Sequence, residues 1–132
     1  MKLLADTSAL LALALRDDRN HAAAVAFVRQ APQARFVLTE LILSELATRL
    51  RVHAGAAQAV AVAGSLLESR RYEVLFIGAD VVRGALARMA RFADKRLSLT
   101  DCASFELMER LGLSAAFSFD RDFRDCGYRT LP

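Results

Sequence analysis

Short apolar runs alternate with longer amphipathic segments along this chain, and that alternation predicts its elements. Lys2-Leu3-Leu4-Ala5 is a compact run closed by Asp6, and Thr7-Ser8 opens a second run from Ala9 to Leu15. The order predicts a buried strand, a tight turn and a helix start, with a carboxylate at the carboxyl end of the strand. Charged residues 16–19 end that helix, and Asn20 caps another that Pro32 stops. Arg35 to Leu38 forms a second strand, and Thr39 caps a long helix with apolar positions at Leu41, Leu43, Leu46 and Leu50. Gly55 separates it from a helix of small residues over 56–71, which predicts a helical hairpin. Glu73 to Ile77 is a third strand, and the helix after it places Val81, Val82, Ala85, Leu86, Met89 and Phe92 on one side. Residues 93–99 read as a loop, Thr100 as the cap of the next helix and Gly112 as its end. Ala115 to Phe119 is a fourth strand, and Tyr128 to Thr130 a short edge strand.

Strands that alternate with helices predict an α/β fold. The expected form is a three-layer α/β/α sandwich with a mostly parallel central sheet of four to five strands. No linker, repeat or low-complexity tract interrupts it, so a single domain is expected over residues 1–132. A chain of this length, 55% hydrophobic and 25% charged, has the material for a packed core.

No apolar run approaches the roughly 20 residues that cross a bilayer. Asp6 interrupts the one stretch that resembles a signal peptide, so a cytoplasmic protein without a membrane partner is expected. The net charge of +3 permits a nucleic-acid partner without requiring one. Cys102 and Cys126 make neither a disulfide framework nor a zinc site. His21 and His53 stand apart in alanine-rich segments, which argues against histidine acid–base chemistry.

The acids carry more information. Asp6 follows strand one, Asp101 opens a helix, Asp120 follows strand four, and Glu45 lies among the apolar positions of the long helix. Each has an ordinary structural role open to it. Asp6 can cap a helix, Asp101 can answer a helix dipole, Asp120 can shape a turn, and Glu45 can pair with Arg49 four residues on. In a parallel sheet, however, the ends of strands one and four share one edge, where ligands bind. Carboxylates gathered there repel one another unless a cation joins them. Oxygen ligands of this kind suit Mg²⁺ or Mn²⁺, which support attack of water on phosphate.

The motifs LLADTSAL, LILSEL, DKRLSLTDCASFELMERLG and AFSFDRDFRDCGYRTLP, in this order over essentially the whole chain, resemble the PIN domain and, within it, the VapC-type toxin nucleases. The resemblance implies a PIN-like fold. It also implies that Asp6, Glu45, Asp101 and Asp120 are the catalytic acids that hold Mg²⁺ or Mn²⁺, with Thr7 and Ser118 as hydroxyls beside them. Ser118 stands where relatives often have threonine. Asp122 stands where many have histidine, which leaves Asp120 and Asp122 as rivals for the fourth ligand. The implied activity is a metal-dependent endoribonuclease that cleaves RNA phosphodiester bonds. The implied setting is a type II toxin–antitoxin system: a homodimer, silenced by a cognate antitoxin, acting on tRNA or ribosomal RNA. The alternatives are a PIN nuclease of RNA maturation without antitoxin and a non-catalytic PIN scaffold. A phosphatase needs a D-x-D after strand one, where Asp6-Thr7-Ser8 stands, and a receiver domain needs a late lysine and an acidic pair. Two further expectations follow from position. Glu40 begins the long helix in an exposed place without a role, and Asp122 lies in a turn fixed by Phe123.

Overall fold

The computed structural model describes all residues, Met1–Pro132. Its strands are β1 (Lys2–Ala5), β2 (Arg35–Thr39), β3 (Tyr72–Leu75), β4 (Ala115–Phe117) and β5 (Arg129–Leu131). Its helices are α1 (Thr7–Ala14), α2 (His21–Gln30), α3 (Glu40–Ala54), α4 (Ala56–Glu68), α5 (Ala79–Arg91), α6 (Leu99–Leu111) and α7 (Arg121–Asp125). The strands form one sheet in the order β3-β2-β1-β4-β5, and every neighbouring pair is parallel. The α/β architecture is therefore the expected one, with five strands and no antiparallel member.

Strand order decides where the helices lie. The chain steps from β1 to β2 to β3 in one direction, then returns past β1 to β4 and β5. Right-handed crossovers place α1–α4 on one face and α5–α7 on the other. Helix pairing follows the same division: α1 packs on α2 and α3, α3 on α4, and α5 on α6. With both faces covered, Leu3, Leu4 and Ala5 of β1 are all buried, as are Phe36, Val37 and Leu38 of β2. Phe117 of β4 lies between Phe27 and Phe36, with ring centroids 5.0 and 5.5 Å away. No helix is long and apolar enough to cross a membrane.

Several local expectations are corrected. Strand β4 ends at Phe117, two residues short of the expected end, although Ser118 N still donates to Leu131 O of β5 at 3.1 Å. Helix α4 stops at Glu68, since Arg71 lays its guanidinium on the carbonyls of Val28, Ala31 and Ala34 and is held out of a helix. Ser98, not Thr100, caps α6: its Oγ accepts from Asp101 N at 3.0 Å, and Asp101 Oδ2 accepts from Ser98 N at 3.1 Å. The tail after Asp120 forms helix α7 in place of a turn. Five residues do not hold a helix alone, but fully buried Phe123 packs its ring 4.9 Å from that of Phe105 and anchors it. Glu40 is half-buried and has a role. Both its carboxylate oxygens accept from Ile77 N, at 3.0 and 3.1 Å, which ties the start of α3 to the segment after β3.

Candidate active site

The strand order reverses between β1 and β4, and open α/β sheets bind ligands at the carboxyl ends of the strands at such a point. Asp6 leaves β1 there, and its N–H donates to Phe117 O of β4 at 3.0 Å. A polar cavity of about 280 Å³ opens at this place, lined by Asp6, Thr7, Ser8, Glu45, Arg49, Ser98, Asp101 and Asp120. The four acids predicted from sequence thus come from four separate parts of the chain to one cavity. Asp122 does not line it, and neither do the histidines, whose rings bond to the carbonyls of Ala12 (His21) and Arg49 (His53).

Structural roles and site placement coincide in three of these acids. Asp6 is the N-cap of α1, Asp101 the third residue of α6 within the Ser98 capping box, and Asp120 the N-cap of α7. Helix N-termini carry partial positive charge and so favour carboxylates beside them. Capping also orients each carboxyl and leaves one oxygen spare. Asp6 Oδ2 accepts from Ser8 Oγ at 2.8 Å and Ser118 Oγ at 3.0 Å, with a long bond from Ser8 N, and none of these reaches Oδ1. Asp101 is held through Oδ2 by Ser98 N, and Asp120 through Oδ1 by Asp122 N. Glu45, on the second turn of α3, pairs with Arg49 at 3.3 Å.

Two serines join the strands across the site. Ser118, 2% exposed, donates to Asp6 and accepts from Asp120 N at 3.0 Å. Ser8 Oγ donates to Asp6 and accepts from Phe119 N at 3.0 Å, and the two hydroxyls lie 3.4 Å apart. Ser8, Ser98 and Arg49 were not among the expected site residues. The S-x-x-D spacing of Ser98 and Asp101 was a readable signal for a capping box; Ser8 had none, because its partner Phe119 is 111 residues away.

Electrostatics reflect the crowding. Burial pushes the Asp6 carboxyl up to about 6; the Ser8 and Ser118 bonds oppose this, and the charges of Asp101 and Asp120 add to it. Asp101 is also raised, first by burial, with Asp120 and Asp122 contributing against the Ser98 bonds. The Asp122 carboxyl is raised by burial and by Asp120 and Asp125, while Lys95 and Arg121 pull it down. Its carboxylate caps nothing, whereas the backbone N–H of Asp122 donates to Asp120 Oδ1 at 2.9 Å.

The donor set is all oxygen, which suits a hard divalent cation. The acids share the cavity without closing on a point: no group of three or more His, Cys, Asp or Glu side chains is drawn tightly enough to hold an ion. One further atom fits a ligand. Thr7 Oγ1 is the single buried side-chain polar atom without a hydrogen-bond partner, and Thr7 lines the cavity.

Residues 3–127 match the PIN domain family. The chain belongs to that family. It is 29% identical over 126 residues to the 23S rRNA-specific endonuclease VapC20 of Mycobacterium tuberculosis, in both the CDC 1551 / Oshkosh and H37Rv strains, covering 96% of this chain and 95% of that one. The crystal structure of M. tuberculosis VapC20, a sarcin-ricin loop cleaving toxin, matches this PIN domain with a TM-score of 0.89 at 28% identity, over 96% of this chain and 95% of that one. VapBC2 from Rickettsia felis, solved with a DNA fragment from its promoter, matches with a TM-score of 0.71 at 9% identity over 98% of this chain and 97% of that one. At that identity the likeness is one of fold.

Proposed function

We propose that this PIN domain is an endoribonuclease that depends on Mg²⁺ or Mn²⁺, cuts ribosomal RNA, and serves as the toxin of a toxin–antitoxin pair. The observation that carries this reading is the convergence of Asp6, Glu45, Asp101 and Asp120 on one cavity at the sheet's switch point. Similarity to VapC20 over nearly the full length of both chains supports the ribosomal substrate and the toxin role.

Asp6, Asp101, Glu45 and Asp120 would hold the cation. When bound, the cation supplies Lewis-acid stabilisation of the negative charge that builds on the attacked phosphate. Ser8 and Ser118 keep the Asp6 carboxylate in one orientation, so little reorganisation accompanies the reaction. Ser118 also fixes Asp120, through its backbone N–H, relative to Asp6. A carboxyl with a pKa of about 6, such as Asp6, exchanges a proton near neutral pH, and cation binding favours its ionised form. A cognate antitoxin, a homodimeric state and a cytoplasmic location belong to the same reading.

The test is cleavage of a ribosomal RNA fragment by purified protein, with Mg²⁺, Mn²⁺ or EDTA, mapped by sequencing RNA 5′ ends. Cutting at defined positions that stops in EDTA and in Asp6→Asn is the expected result. Equal cutting by wild type and Asp6→Asn in EDTA would overturn the reading. Growth arrest on induction, relieved by co-expression of a neighbouring gene, is expected for a toxin; unimpaired growth opposes that part.

A further inference from the structure

We infer that Arg49 receives an RNA phosphate at the mouth of the acid cavity, exchanging Glu45 for the substrate; this rests on the ribonuclease reading above. The cavity is lined by four carboxylates, and Arg49 is the only basic residue among its lining. A phosphodiester approaching such a wall meets repulsion from every side but one. Lys95 and Arg121 act on Asp122, which lies outside the cavity.

The present partnership of Arg49 is built to be given up. It meets Glu45 at 3.3 Å as an ion pair without a hydrogen bond, with the arginine side chain 56% exposed and the glutamate 31%. An exposed i,i+4 pair of this kind is weak, and a guanidinium offers a planar fork that suits two phosphate oxygens. Helical side chains lean toward the N-terminus of their helix, so Arg49 reaches back to Glu45, and both line the cavity at the edge where β1 and β4 end. Release of Glu45 serves both ends of the exchange: the carboxylate becomes free to meet a cation, and the guanidinium becomes free to meet the phosphate.

The experiment compares wild type, Arg49→Ala, Arg49→Lys and Arg51→Ala, all as full chains. Arg51 lines the apolar groove between α3 and α4, outside the cavity, and serves as the control. Initial rates of ribosomal RNA cleavage in Mg²⁺ are measured over a series of KCl concentrations, and Mn²⁺ affinity is measured without RNA. Arg49→Ala should raise KM about tenfold, the low end for a hydrogen bond to a charged group, with kcat little changed. Its log(kcat/KM) against log[KCl] should be shallower by about 0.7 to 0.9, the share of one phosphate. Arg49→Lys should regain that slope, and Arg51→Ala should match wild type. Mn²⁺ should bind Arg49→Ala no more weakly than wild type, since a competitor for Glu45 is gone. An unchanged KM and salt slope would overturn the inference, as would a loss confined to kcat with weakened Mn²⁺ binding, which marks a clamp on Glu45. A wild type that cuts no RNA in Mg²⁺ would remove the ribonuclease reading itself, and this inference with it.

Discussion

Asp6→Asn should stabilise the protein in EDTA at neutral pH while silencing it. Asp6 is 4% exposed, and its carboxyl titrates at about 6 in the fold against 3.8 for the ordinary group. Each pH unit of such a shift is worth about 1.4 kcal/mol, so ionised Asp6 costs the folded state about 3 kcal/mol above pH 6. The folded protein binds this proton more tightly than the unfolded chain. Stability from this group is therefore fully present below pH 3.8 and lost as pH rises through 6. Asparagine keeps one carbonyl oxygen for the Ser8 and Ser118 hydroxyls and carries no charge. After some loss of hydrogen bonding, a net gain of about 2 kcal/mol at pH 7 is expected, roughly 7 °C in Tm for a chain of this size. The assay is urea unfolding followed by circular dichroism, for both proteins, from pH 4 to 8 in EDTA. Other carboxylates titrate in both, so the quantity that matters is the difference between the curves. With the hydrogen-bonding loss present at every pH, it should favour wild type by about 1 kcal/mol at pH 4, change sign as pH rises toward 6, and level off above in favour of asparagine. A difference independent of pH, or an asparagine variant less stable at pH 7, would refute the argument. Mn²⁺ should then stabilise wild type more than Asp6→Asn, because a binding site adds its ligand's free energy to the folded state.

Asp120→Asn should reduce cleavage more than Asp122→Asn, since Asp120 lines the cavity and Asp122 does not; a Mn²⁺ titration of cleavage that rescues Asp120→Asn but not Asp122→Asn would reverse the assignment. Glu40→Ala should destabilise the fold by about 1.5 kcal/mol, the value of a hydrogen bond to a charged group, because Ile77 N loses its acceptor; unchanged urea unfolding would show that the tie is dispensable. Thr7→Val should leave stability in EDTA equal or higher, since the Oγ1 it removes has no partner, and should weaken Mn²⁺ binding; loss of stability with unchanged Mn²⁺ binding would mean that the hydroxyl is structural. Gly84→Ala should destabilise the α5–α6 pair by about 1–3 kcal/mol, because a Cβ there would sit 2.5 Å from the Glu106 carboxylate that holds Arg88 and Arg110; an unchanged Tm would show that Glu106 can move aside freely.

The alternation of strands and helices through β4, and the positions of the acids along it, could be read from the chain alone. Apolar runs too short for helices mark β1 and β2, and amphipathic periods mark α3 and α5, because burial on one or two faces leaves its spacing in the chain. Asp6, Asp101 and Asp120 were legible because they stand at strand ends and helix starts, where a carboxylate also suits the backbone. Elements whose stability comes from distant partners left no such trace. Helix α7 depends on Phe123 finding Phe105, and the end of α4 on Arg71 reaching three carbonyls of another segment. The roles of Glu40, Ser8 and Ser118 rest on partners 37, 111 and 112 residues away in the chain. Only the tertiary structure set β1 beside β4, and with that the site. Local pattern fixes which face of a strand is apolar but not which strand lies next to it. That choice is made by crossover handedness and core packing, and it brings four carboxylates and one arginine to a single cavity.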